Sequence, residues 1–121
     1  MILTKEEAVK NHRQLWHTVG ELSRSLHRPV TSHEALNYLG YSYQDQPRNC
    51  CWACEYAQNH CRRCPLDFGP IYTSCRDYSD YQRLSEIRTS TLISNVISDN
   101  LLDQYVELAH RIAKIPEKLG D

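Results

Sequence analysis

All six cysteines of this chain lie within residues 50–75, and this clustering restricts how the chain can fold more than any other feature. Four of them form two C-x-x-C units, Cys51 with Cys54 and Cys61 with Cys64. A C-x-x-C turn directs two thiolates toward one point, so two such turns supply the four soft ligands of a tetrahedral zinc site. The spacing therefore predicts a structural Zn²⁺ ion in this segment.

The cysteines outnumber the ligands that one zinc ion needs, so the choice among them stays open. The two C-x-x-C units are the simplest set, and the chain before Cys75 is long enough for that residue to replace a cysteine of the second unit. The candidate metal ligands are Cys51, Cys54, Cys61, Cys64 and Cys75. Cys50 would point away from its neighbour's metal, and His60 is an open candidate for a nitrogen ligand.

Residues 40–81 need a source of stability other than an apolar core. Their only aliphatic side chains larger than alanine are Leu66 and Ile71. Small cores commonly recruit a metal or disulfides for this purpose. Four arginines flank the cysteines; they would offset the negative charge of a zinc–thiolate site, but they are equally typical of a solvated surface. They are Arg48, Arg62, Arg63 and Arg76.

Three other cysteine chemistries match the sequence less well. Disulfides require an oxidising compartment, and no apolar segment of a secretory signal follows the charged residues 5–10. An iron–sulfur cluster would suit Cys64 followed by Pro65, but the compact cysteine spacing of ferredoxins is absent. A redox C-x-x-C protein needs a strand before the motif, and the sequence predicts none.

Helices are predicted on both sides of the cysteine segment. In residues 4–39, Thr4 with Glu7 and Thr31 with Glu34 have the spacing of capping boxes, so one helix should follow each threonine. The first helix carries an apolar stripe at alternating steps of four and three residues. Its members are Ala8, His12, Leu15, Val19, Leu22 and Leu26.

Residues 77–115 are predicted to be helical again, with Asp77 as a possible cap and a break at residues 98–100, where three cap-forming residues follow one another. The apolar stripe here is Ile93, Ile97, Leu101, Tyr105, Leu108, Ile112 and Ile115. The two stripes should pack together as an antiparallel helical layer. The expected fold is a single domain, 1–121, mainly α, a small helical layer or bundle. Its central loop, 41–76, would bind the metal and hold one short helix at 55–59, with little or no sheet.

Composition narrows the function classes. A net charge of −1 gives no global basic field for non-specific nucleic-acid binding. No run of residues is apolar enough for a membrane span, and with no secretory signal the cytoplasm is the expected location. No phosphate loop, zinc-protease motif or serine-hydrolase motif is present, so we expect a protein that is not an enzyme.

The sequence also indicates roles for several side chains other than the cysteines. His12 lies on the apolar stripe and should be a buried histidine at a helix interface. Tyr41 and Tyr43 follow the second helix, where they can contact a partner or pack over the metal loop. Arg62 and Arg63 could contact phosphate, which keeps nucleic acid open as a second kind of partner.

The cysteine motif resembles that of small cysteine-rich proteins encoded by bacteriophages and prophages. The matching strings are Cys-Trp-Ala-Cys-Glu-Tyr-Ala at 51–57, Cys-Arg-Arg-Cys-Pro-Leu-Asp-Phe-Gly at 61–69, and the later Cys75. Residues 10–16 and 109–118 of the flanking helices are also similar. The resemblance implies metal binding, an accessory role in phage biology and the cytoplasm of a bacterial host; it implies no catalytic residues.

The sequence thus predicts a non-enzymatic, zinc-stabilised binding protein that engages a host or phage macromolecule. A protein partner is favoured, and a component of host defence is one target that the resemblance suggests. The alternatives are a nucleic-acid-binding zinc-knuckle regulator, which would use Arg62, Arg63 and Arg76, and an iron–sulfur or redox cysteine protein.

Overall fold

The computed structural model describes residues 3–47, 52–57, 64–67 and 79–117. Within these ranges the protein is mainly helical, with five α-helices and no β-strand, which confirms the prediction of a small, mainly α protein. None of the helices in the described ranges combines the length and the apolar character needed to cross a membrane.

Helix α1 spans Lys5–Leu26 and begins at the predicted capping box. The Thr4 hydroxyl accepts a hydrogen bond from the Glu7 amide, and the Glu7 carboxylate accepts one from the Thr4 amide, both at 3.1 Å. These bonds satisfy amides that a helix N-terminus otherwise leaves without partners. The helix ends at His27, which adopts the left-handed conformation with φ of 55°.

Helix α2 spans Ser32–Tyr38 and begins at the second capping box, formed by Thr31 and Glu34. Gly40 follows the helix with φ of +89°, a conformation that side chains with a Cβ rarely adopt, so glycine suits this exit from the helix. A short 3₁₀ turn then covers Tyr43–Asp45. The hydrogen bonds confirm both predicted capping boxes. They could be predicted because the residues that form a capping box are close together in the sequence.

Helix α3 spans Trp52–Ala57, so it begins three residues before the predicted start at residue 55. The difference arises because Trp52 and Ala53 are buried in the core, at 2% and 1% exposure, and tertiary packing holds them in the helix. Residues 58 and 59 of the predicted helix lie outside the described ranges.

Helices α4, Ser79–Ser94, and α5, Asp99–Ala113, are separated as predicted, but the break covers residues 95–98, so that two of the three residues predicted to form it, 99 and 100, already belong to α5. The Ser98 hydroxyl caps α5 by accepting a hydrogen bond from the Leu101 amide at 3.2 Å. The predicted cap Asp77 lies outside the described residues. Asp80 and Arg111 connect the two helices through an ion pair of 3.0 Å in which the carboxylate is buried.

Helices α1 and α5 pack against each other in antiparallel directions, as predicted. His12, in the first half of α1, contacts Ile112, whereas His27, just after the end of α1, lies 3.1 Å from Asp99 at the start of α5. Gly20 marks a close approach between them, because a Cβ on this residue would lie 2.6 Å from Nε2 of His110. The glycine that weakens the helix locally therefore makes room for a side chain of its partner.

The residues of the two predicted apolar stripes are buried or half-buried, except for one exposed residue at an end of each stripe. Leu26 is 52% exposed and Ile93 is 83% exposed, although both fit the apolar spacing. Leu26 is the last residue of α1, and Ile93 belongs to α4, which ends before the core continues through α5. Helical spacing identifies which face of a helix is apolar, but it does not show at which residue that face stops contacting the neighbouring helix.

His12 is fully buried between α1 and α5, which confirms its prediction as an interface histidine. Its Nε2–H donates to the carbonyl oxygen of Ile112 at 2.8 Å, near the end of α5. Burial penalises the charged imidazolium and lowers the pKa of His12 to about 4, despite that hydrogen bond. The residue is therefore a neutral donor at physiological pH.

The lowered pKa of His12 makes the stability of the fold depend on pH. The unfolded chain binds a proton near pH 6.5 and the folded protein only near pH 4, so the free energy of unfolding falls as pH drops between these values, by about 3 kcal/mol. His12→Gln keeps a donor and should lose this part of the acid destabilisation in urea titrations. The exposed-site control His33→Gln should follow the parent. Equal pH dependence of His12→Gln and parent would contradict the assignment.

The hydroxyl of Tyr105 attaches α5 to the connection between α1 and α2. It donates to the carbonyl oxygen of Val30 at 2.7 Å, and both residues are fully buried. Burial also raises the pKa of Tyr105 to about 12, so the hydroxyl keeps its proton over the whole physiological range.

Tyr105→Phe removes this donor and leaves the Val30 carbonyl buried without it. We expect the free energy of unfolding to fall by about 1 to 2 kcal/mol in denaturant titrations at neutral pH. Tyr38→Phe is the matched control, since Tyr38 is 69% exposed, and should change stability little. A Tyr105→Phe protein as stable as the parent would mean that the hydrogen bond contributes nothing.

Candidate metal centre

The structure places two of the five predicted metal ligands. Cys54 is half-buried on α3, and Cys64 is buried in the segment 64–67 with 8% exposure. The other three candidates, together with Cys50 and His60, lie outside the described residues. They are Cys51, Cys61 and Cys75.

Helix α3 is fixed to the rest of the protein by its aromatic residue. Trp52 is buried, and its ring lies 5.2 Å from the ring of Tyr41, centroid to centroid, at an angle of 56°. The helix also packs against α1. Of the two tyrosines predicted as contact residues, Tyr41 therefore packs over the cysteine segment, whereas Tyr43 is 88% exposed and accessible to a partner.

The segment 64–67 is held in place by contacts with the residues that follow α5. Leu66 is fully buried and forms an isolated antiparallel β-bridge with Glu117. The Asp67 amide donates to the carbonyl oxygen of Pro116 at 2.7 Å. The second C-x-x-C unit thus ends against the residues that follow α5.

Both cysteine-bearing pieces contribute to one hydrophobic core. Trp52, Ala53, Cys64 and Leu66 belong to the same cluster of buried side chains as the inner faces of α1 and α5. A metal ion bound by Cys54 and Cys64 would join α3 to the segment 64–67, and both pieces already contact the core. Thiolate sulfur is a donor that zinc prefers, so these two residues fit the predicted ion.

Burial of Cys64 favours a structural role over a reactive one. Reactive cysteines are partly exposed and lie in electropositive surroundings, whereas Cys64 lies in the apolar core. In the part of the chain that the structure describes, no three His, Cys, Asp or Glu side chains converge as a metal site would require. Since three of the candidate cysteines fall outside that part, the complete ligand set stays a prediction.

A second feature, a groove far from the cysteines in sequence, was missed by sequence reasoning. The groove holds about 690 Å³ between the connection from α1 to α2 and the C-terminal half of α4. Arg28 and Glu34 line one wall, and Arg88, Leu92 and Val96 line the other. No motif marks these residues, because only the tertiary fold brings the two walls together.

No protein-family model, curated protein or solved structure matches this chain. The chemistry of the site and the surface of the fold therefore carry the functional argument.

If the cysteines bind zinc, the zinc content of the protein should depend on individual cysteines. Protein purified without added metal should contain about one equivalent of zinc, with about four thiols protected until a chelator is added. Cys54→Ser and Cys64→Ser should each lower the zinc content, since a hydroxyl is a much poorer ligand than a thiolate. Elemental analysis and thiol titration measure both quantities.

Cys50→Ser is the matched control within the same segment and should keep its zinc. A parent protein without metal, or a Cys54→Ser variant with unchanged zinc and unchanged protected thiols, would show that Cys54 is not a ligand.

Proposed function

We propose that this protein is a non-enzymatic binding protein whose cysteine segment is held in place by a structural zinc ion. The observation that carries the proposal is the position of Cys64 and Trp52 in the same core as α1 and α5. A metal between the cysteines would then stabilise the fold itself, and its ligands would be shielded from substrates.

The shortage of apolar side chains in the cysteine segment supports this role. Trp52 and Leu66 are the large apolar side chains that its described part contributes to the core. Metal binding by a site that does not exist in the unfolded chain contributes its free energy directly to folding. Zinc would supply stability that these few contacts do not.

The exposed surface supports a binding role. Three apolar side chains in the last turn of α4 and the connection that follows it, here called the apolar patch, are exposed by 78%, 83% and 73%: Leu92, Ile93 and Val96. Leu92 and Val96 border the same groove, and exposed apolar side chains that lie together are typical of interaction sites. We infer a protein as the partner. By the resemblance of its cysteine motif, the chain would act as a phage accessory protein in a bacterial cytoplasm, with a host-defence component among its possible targets.

The binding role predicts that the apolar patch captures a partner. Immobilised, zinc-loaded protein should retain a bacterial protein from lysate at a defined stoichiometry, and Leu92→Asp should abolish that retention because it places a charge in the apolar contact. Tyr38→Asp is the matched control, since Tyr38 is exposed to a similar degree on α2. Mass spectrometry of the eluted fraction identifies the partner.

Three results would contradict the proposed function and point to its rivals. Retention of DNA or RNA that weakens steeply with salt would indicate a nucleic-acid-binding regulator. A coloured protein that contains iron would indicate an iron–sulfur cluster. A thiol that reacts rapidly before any chelator is added would indicate redox chemistry.

A further inference from the structure

We propose that the groove between the α1–α2 connection and the C-terminal half of α4 is the docking site for an acidic, amphipathic peptide segment of a protein partner. This inference rests on the proposed binding function and specifies the chemistry of the partner. It is carried by one arginine, Arg88, together with the apolar side chains of the apolar patch that border the groove.

Arg88 is a half-buried cation without a carboxylate partner among the residues that the structure describes. Its guanidinium lies beside the hydroxyl of Tyr105, which itself donates to the carbonyl oxygen of Val30. An arginine side chain has five N–H donors, so most of its donors are available to a ligand. A half-buried charge is costly unless an opposite charge compensates it, and a carboxylate can do so with two parallel hydrogen bonds.

The other charges in the groove leave Arg88 as the net positive group. Arg28 and Glu34 form an ion pair of 2.7 Å, which raises the pKa of Arg28 and lowers the pKa of Glu34. These two charges therefore balance each other. His27, at the rim, lies 3.1 Å from the carboxylate of Asp99. An incoming group should accordingly be negative.

The rim of the groove is apolar, so a ligand should carry apolar side chains next to its negative group. Leu92, in the last turn of α4, and Val96, in the connection to α5, both border the groove and are 78% and 73% exposed. An occupant that covers them removes apolar surface from water, which favours binding. A peptide helix with a carboxylate and a leucine on the same face would meet both demands at once, as in other helix-in-groove complexes.

The direct test is fluorescence anisotropy with the full-length, zinc-loaded protein. The probe is a fluorescein-labelled synthetic peptide with glutamate and leucine at helical spacing. Two matched peptides replace every glutamate by lysine or every leucine by serine. We expect the glutamate–leucine peptide to bind and both matched peptides to bind at least about tenfold more weakly, since each lacks one half of the complementarity.

Variants of the protein connect binding to the groove. Arg88→Gln should weaken binding of the glutamate–leucine peptide about tenfold or more, because a charge-assisted bidentate contact is lost. Arg83→Gln is the matched control, since Arg83 lies on the same helix but contacts Glu86 and Gln104 outside the groove. It should leave the affinity unchanged, and circular dichroism verifies that both variants stay folded.

A third variant should strengthen binding. Glu34→Gln removes the carboxylate that balances Arg28, so the groove gains net positive charge and the peptide should bind several-fold more tightly. Glutamine can replace glutamate in the capping box with Thr31, so α2 keeps its cap. The same substitution would leave affinity unchanged if the groove were not the binding site.

Four outcomes would overturn the inference. Equal binding of the glutamate and lysine peptides would exclude charge complementarity, and Arg88→Gln with parental affinity would exclude the groove. Tighter, Arg88-dependent binding of a labelled single-stranded oligonucleotide would assign the groove to nucleic acid. A dimer in sedimentation that Leu92→Asp dissociates would assign it to a second copy. If the protein contains zinc and Leu92→Asp abolishes capture while Arg88→Gln changes nothing, the proposed function survives and only this inference fails.

Discussion

The packing of α1 against α5 is the interaction on which the rest of the structure depends. Each of the other described helices contacts one of these two: α2 and α3 pack on α1, and α4 packs on α5. Two features permit the close approach, the absence of a side chain at Gly20 and the hydrogen bond from His12 to Ile112. Because His12 must stay neutral in this interface, the central contact of the fold is also its pH-sensitive point.

The cysteine segment is attached to this helix pair but does not form a core of its own. Trp52 reaches the core from one side, and Leu66 reaches it near the end of the described chain, where it pairs with Glu117. Two anchors of this kind fix the ends of the described pieces, while the chain between them is rich in cysteine and arginine. A zinc ion would stabilise such a segment, since it replaces apolar burial with a few strong bonds.

Local signals could be predicted from the sequence, whereas features that depend on distant contacts could not. The capping boxes at Thr4 and Thr31 need only neighbouring residues, and the pairing of α1 with α5 follows from two long apolar stripes. The exposure of Ile93 and the early start of α3 depend on where helices meet and separate, which periodicity does not encode. The groove was invisible for the same reason, since its walls come from different helices. Cys54 and Cys64 were predicted as ligands from spacing alone, and the structure adds that their segments share one core.

We propose that cysteine sulfurs hold a single ion at the middle of the chain. X-ray absorption spectroscopy at the zinc edge of the purified, full-length protein measures this directly. We expect a first shell of about four sulfur atoms at about 2.3 Å, with at most one nitrogen in place of a sulfur. A first shell of oxygen and nitrogen only, or no zinc signal from protein that is folded, would contradict it.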